Sequence, residues 1–111
     1  MSRLRLAVVG VGHLGRIHAR LAAALPEIDL VAVVDSRVEA REALAMDTGA
    51  RPVAEYLDLI GEVDAAVVAT PTFTHHRVAG DLIRGGKHVL VEKPITPTVQ
   101  EADELVQLAR R

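Results

Sequence analysis

The chain has 111 residues, half of them hydrophobic, with a formal charge of −2 and no cysteine. Disulfides and zinc–thiolate sites are therefore excluded, and the lack of any basic block gives nucleic-acid binding no electrostatic support. Tyr56 and Phe73 are the only aromatic residues, so stacking platforms for single strands are missing and the core has to be built from Val, Leu, Ile and Ala.

Met1–Arg5 leads into an apolar run too short to span a membrane and without a signal-peptide cleavage pattern, so a soluble, cytoplasmic protein is expected. Leu4–Val9 reads as a buried strand closed by Gly10. His13–Leu25, rich in Ala and Leu and followed by Pro26, reads as a helix. Asp29–Val34 is a second, β-branched strand ending at Asp35. Arg37–Asp47 is a second helix with Thr48-Gly49 as its exit. Pro52–Ala54 reads as a short third strand, and Glu55–Ile60 as a helical turn stopped by Gly61. Asp64–Ala69 is the next apolar run and ends in Thr70-Pro71-Thr72. Phe73–Arg84 is a helix closed by Gly85-Gly86, and His88–Val91 is the fifth strand. After Pro97, Thr98–Arg110 has helical periodicity, with Val99, Ala102, Leu105, Val106 and Ala109 on one face. Thr98 with Glu101 three residues on predicts a capping box.

Alternating strands and helices, with strands that read as continuous apolar runs, predict an α/β fold. Its expected form is a doubly wound parallel sheet of about five strands in the order 3-2-1-4-5. Residues 1–111 read as one domain. The chain stops at Leu108–Arg111 without the sixth strand such sheets commonly carry, which raises the expectation of an incomplete domain or a piece of a longer protein.

Gly10-x-Gly12-x-x-Gly15 lies directly between the first strand and the first helix. The spacing alone is a weak signal; in this context it is a dinucleotide-binding fingerprint. Gly10 allows the tight turn, Gly12 lets the backbone approach a pyrophosphate, and Gly15 lets the helix pack against the sheet. The phosphates then face the N–H groups of the helix start, including those of His13 and Leu14. Asp35, 20 residues after Gly15, is placed to bond the adenosine ribose, with Ser36 and Arg37 beside it. A carboxylate there favours NAD; the Arg37 guanidinium two residues on suits a 2′-phosphate and keeps NADP as the alternative.

In a doubly wound sheet, ligands sit beyond the carboxyl ends of the strands. Gly10, Asp35, Thr70-Pro71 and Glu92-Lys93-Pro94 all fall at such ends, so four loops converge on one edge. Lys93, one of two lysines against eleven arginines, is thus expected to face the site. His75 and His76 start the helix after Thr70-Pro71. A helix N-terminus disfavours a charged ring there. His75 reads either as part of the cofactor pocket wall or as a surface residue, and His76 as a surface residue. Five histidines are present, but none is spaced with a carboxylate as a metal site requires.

Three motifs in order carry a family resemblance. They are Gly10-Val11-Gly12-His13-Leu14-Gly15 with His18 after it, Ala69-Thr70-Pro71 followed by His75, and Gly86-Lys87-His88-Val89 running into Glu92-Lys93-Pro94. The chain resembles, over essentially its whole length, the N-terminal domain of the glucose-fructose oxidoreductase, inositol dehydrogenase and rhizopine-catabolism (Gfo/Idh/MocA) family. The resemblance implies an NAD(P)-dependent oxidoreductase moving hydride between nicotinamide and an alcohol carbon of a sugar, cyclitol or nucleotide-sugar. It implies that Lys93 lies near nicotinamide and substrate as the catalytic residue, that Glu92 lies near the nicotinamide ribose, and that Pro94 shapes the turn through a cis Lys-Pro peptide. It also implies a second α+β domain that supplies substrate contacts, the catalytic partners of Lys93 and an oligomer interface. That domain has no counterpart in these residues. A non-catalytic NAD(P)-binding sensor or regulatory module is accordingly the alternative to the enzyme, and these 111 residues alone are expected to lack turnover.

Overall fold

The computed structural model describes residues 3–111; Met1 and Ser2, part of the N-terminal reading, lie outside the described residues. Five strands form one parallel sheet: β1 (Leu4–Val9), β2 (Ile28–Val34), β3 (Arg51–Val53), β4 (Ala65–Val68) and β5 (His88–Val91), in the order β3-β2-β1-β4-β5. The helices are α1 (His13–Ala24), α2 (Val38–Thr48), α3 (His75–Arg84) and α4 (Val99–Ala109). Short 3₁₀ turns occupy Tyr56–Leu59 and Thr72–Thr74. The expected doubly wound sheet is what the chain forms, with element boundaries within a few residues of those read from the sequence. The largest shift falls where the Phe73–Arg84 helix divides into the 3₁₀ turn and α3.

Parallel strands need their crossovers on the faces, so both faces are covered. One core packs Val9, Val34, Leu59, Val68, Val78 and Leu82 between the sheet and α3, the first 3₁₀ turn and Leu105 of α4. The other packs Val8, Val33, Ala19 and Leu44 beneath α1 and α2. Ala19 and Ala22 are what let α1 lie close to the strands. Gly49, at φ 81°, closes α2 in the left-handed conformation that glycine adopts without penalty.

Three expectations are corrected. The apolar face of α4 is not the broad stripe predicted: Leu105 is buried with Ala102 and Leu108 partly so, while Val99 is 79% exposed and Val106 is exposed. This helix sits at the margin of the sheet, where α3 offers one narrow line of contact. The capping box is half formed, with the Glu101 N–H donating to Thr98 Oγ1 at 3.2 Å. Strand β5 is an edge, alternating between half-buried and exposed positions rather than buried throughout. Among the described residues, no helix is long and apolar enough to cross a membrane.

Candidate functional site

The strand order reverses between β1 and β4, so the chain leaves the sheet in opposite directions there and opens a crevice. The loops after β1, β2, β3 and β4 line a cleft of about 710 Å³. Gly10, Gly12, His13, Leu14, Asp35, Ser36, Arg37, Thr70 and Pro71, all expected at the site, lie on its walls.

Each glycine of the loop has a distinct local task. Gly10 has φ 100°, and a Cβ there would lie 2.6 Å from the carbonyl of Ala69, so the β1 and β4 loops touch backbone to backbone. A Cβ on Gly15 would lie 1.8 Å from the Gly10 oxygen, so this residue lets α1 begin where it does. A Cβ on Gly12 would meet nothing within 4 Å. The space over Gly12 is open, and it faces the start of α1, whose first N–H groups have no partner within the helix. No acidic side chain sits in that first turn and none caps it, so the positive end of the helix is left for an anion. The cradle fits a dinucleotide pyrophosphate. Gly12→Ala is therefore expected to leave the melting temperature within about 2 °C and weaken NADH binding by roughly tenfold or more, read by calorimetric titration beside thermal unfolding.

Asp35 is held at the end of β2 by four donors. Its Oδ2 accepts from the Val11 N–H at 2.8 Å and Arg37 Nη2 at 3.1 Å; its Oδ1 accepts from the Arg37 N–H at 2.9 Å and Arg37 Nε at 3.0 Å. Burial pushes this carboxyl up, but the Arg37 and Val11 hydrogen bonds and the Arg37 charge outweigh it and hold it at about 2. Its side chain is only 10% exposed, whereas that of Arg37 is 62% exposed. The exposed guanidinium is the mobile member of the pair, while the Val11 and Arg37 N–H groups fix the carboxylate from the backbone side. Because the folded value lies below the ordinary 3.8, the stabilisation is present above pH 3.8 and is lost as pH falls towards about 2. Asp35→Asn is expected to remove on the order of 2 kcal/mol at pH 7 and to flatten the acid limb of an unfolding curve between those values.

The remaining residues sit beside the cleft rather than on it. Val68 pairs with Val91, so Thr70 and Lys93 stand two residues past the sheet edge on neighbouring strands. Lys93 is exposed, and the Lys93–Pro94 peptide is cis. Glu92 bonds His18 of α1 through Oε1 and Nε2. That hydrogen bond, against the opposing effect of burial and with help from the charges of His18 and Lys93, holds the Glu92 carboxyl below the usual range.

His75 departs from both of its expected places. It is 1% exposed and does not line the cleft. Its Nε2 lies 2.8 Å from the Thr70 carbonyl, and its Nδ1 lies 3.1 and 3.0 Å from the carbonyls of Pro94 and Ile95. The segment after Lys93 folds over the start of α3 and covers the ring, a contact that local spacing could not reveal. Carbonyl oxygens thus face the ring at both of its nitrogens. His76 pairs with Glu104 of α4 at 2.9 Å.

Among the cleft residues not anticipated are Glu55, Tyr56, Thr74 and Arg77. Burial, then the hydrogen bond to Asp81 at 2.6 Å and the charge of Asp81, push the Tyr56 phenol up to about 12. The signal for Tyr56 was present, since it follows the carboxyl end of β3 just as the other loops follow theirs. Among the described residues, no group of three His, Asp or Glu side chains is arranged to hold a metal.

Residues 4–111 match the model of an oxidoreductase family with an NAD-binding Rossmann fold. The chain is 40% identical over 110 residues to UDP-N-acetylglucosamine 3-dehydrogenase of Acidithiobacillus ferrooxidans, covering 99% of itself and 34% of that protein. It superposes on the solved structure of that enzyme with a TM-score of 0.92. It is 40% identical to inositol 2-dehydrogenase 1 of Mycolicibacterium vanbaalenii, covering 96% of itself and 32% of the relative. GenD2 from gentamicin A biosynthesis, solved with NAD, matches at 38% identity and a TM-score of 0.95, over 99% of this chain and 32% of that one. The chain thus spans about a third of the length of the relatives it matches.

Proposed function

The chain belongs to the Gfo/Idh/MocA oxidoreductase family, and from that premise we propose that its NAD-binding domain serves hydride transfer at an alcohol carbon of a sugar, cyclitol or nucleotide-sugar. The observation that carries this reading is the convergence on one edge of an open cradle at Gly12, a ready carboxylate at Asp35, and an exposed ammonium at Lys93. When bound, the nicotinamide supplies the hydride acceptor or donor.

In this proposal the N–H groups of Gly12, His13 and Leu14 hold the pyrophosphate, with Gly10 and Gly15 keeping the turn tight enough for it. Asp35 accepts from the adenosine ribose after Arg37 yields, with Ser36 beside it, and this sets the preference for NAD. Thr70 and Pro71 wall the cleft on the β4 side. Glu92 lies towards the nicotinamide ribose, and Lys93 towards the reacting carbon with Pro94 shaping its turn. Lys93 donates a hydrogen bond to the substrate oxygen and stabilises negative charge that develops on it. Its use in proton transfer requires a second domain that covers it and holds the substrate. In the 111 residues alone Lys93 stays exposed. That favours coenzyme binding without turnover for this stretch taken by itself, the behaviour of a sensor or regulatory module.

Calorimetric titration of the folded chain with NADH and NADPH tests the premise. We expect NADH to bind, and NADPH to bind about tenfold more weakly because its 2′-phosphate meets Asp35. Absence of binding by either at millimolar concentration sinks the proposal. Equal affinities overturn the role given to Asp35.

A further inference from the structure

We propose that His18 and His75 are positioning residues that grip the turn on both sides of Lys93 and aim it over the cleft. This rests on the reading of Lys93 as the group that faces the reaction. The turn leaves β5, an edge strand with a neighbour on one side, so the sheet alone fixes it weakly. Two side chains from separate helices make up the difference. His18, on α1, bonds the carboxylate of Glu92, the residue before Lys93. His75, at the start of α3, reaches the carbonyls of Pro94 and Ile95, the residues after it. Both grips fall on residues flanking Lys93, and neither takes up its ammonium.

The other edge of the His75 ring meets the carbonyl of Thr70, a residue of the cleft wall. One buried ring therefore ties the lysine turn to the nucleotide cleft. Thr70 is in turn braced by Thr74, whose hydroxyl lies 2.6 Å from the Thr70 hydroxyl. The His18–Glu92 contact ties the same turn to the helix whose first turn faces the phosphates. The lysine is thus referred to both halves of the dinucleotide site, although it lies outside the cleft itself. An error of about 1 Å in placing such a group is enough to lose most of its effect on a reaction.

The test is backbone ¹⁵N relaxation of the chain and of His18→Leu, His18→Gln and His75→Phe. In the parent, the Lys93 amide should show an order parameter near 0.85. It should fall below about 0.6 in His18→Leu and in His75→Phe, while the amides of Val8 and Val33 in the sheet stay unchanged. His18→Gln, which keeps a side-chain N–H donor towards Glu92, should restore the parent value. The proposal is overturned if Lys93 remains rigid in His18→Leu, if Gln fails where Leu fails, or if the loosening spreads equally through β1 and β2. The His18 variants decide the matter even where His75→Phe lowers the yield of folded protein, because the His18 side chain is 27% exposed. Coenzyme titration reads the cofactor site separately: a chain that binds no NADH but passes this test fails in its proposed function and not in the grip on Lys93.

Discussion

Gly15→Ala is expected to destabilise the chain by about 3–5 kcal/mol, the range of severe single substitutions. The new Cβ would stand 1.8 Å from the Gly10 oxygen, and no rotamer change can relieve a clash between two backbones. Either α1 lifts off the sheet or the loop after β1 rebuilds. The first loses part of the core around Ala19 and Val8, and the second removes the phosphate cradle. With a domain stability of roughly 5–15 kcal/mol, thermal unfolding followed by circular dichroism should show a loss of about 15 °C or more. A melting temperature within a few degrees of the parent overturns the claim that Gly15 is kept by close packing. The contrast with Gly12→Ala tests two uses of glycine within one loop: Gly15 small for the sake of the fold and, in the proposed reading, Gly12 small for the sake of the ligand.

Lys93→Ala, made in the complete oxidoreductase, is expected to lower kcat by about 10²–10⁴-fold, the usual range for a positioned acid–base group. The coenzyme dissociation constant should stay within about threefold, since Lys93 does not line the nucleotide cleft. Steady-state rates together with NADH titration would show the split. A kcat within a factor of a few of the parent removes Lys93 from the chemistry. A parallel loss of NADH affinity would make it a binding residue instead. The fold itself should hardly notice, because Lys93 is exposed.

Much of this architecture could be read before any coordinates, for a physical reason. Strand segments buried on both faces must be apolar, so Leu6–Val9 and Ala65–Val68 stand out as runs. The turns between them need glycine, proline or a cap, so Gly10, Asp35 and Gly85-Gly86 mark the ends. The rule that ligands gather at the carboxyl ends of strands then places Gly12, Asp35 and Thr70 together without any side-chain detail. What escaped was non-local. His18 and Glu92 are 74 positions apart, and nothing in either neighbourhood announces the other. His75 at a helix start reads as pocket wall or surface, and only the return of Pro94–Ile95 over it makes it a core residue. The misplaced face of α4 has a similar origin. Periodicity says which residues share a side of a helix, but the width of the stripe that is covered depends on the neighbour, and here that neighbour is chiefly α3.

The backbone contact between the loop at Gly10 and the peptide of Ala69 has a consequence for how selectivity could be redesigned. At that crossing Gly10 places no side chain between the two halves of the sheet. In the proposed reading, coenzyme choice falls to Asp35 at one extremity and the chemistry to Lys93 at the other. Coenzyme preference and chemical reactivity then become separately editable traits. Changes at Asp35, Ser36 and Arg37 can exchange one coenzyme for another while the turn that carries Lys93 keeps its aim.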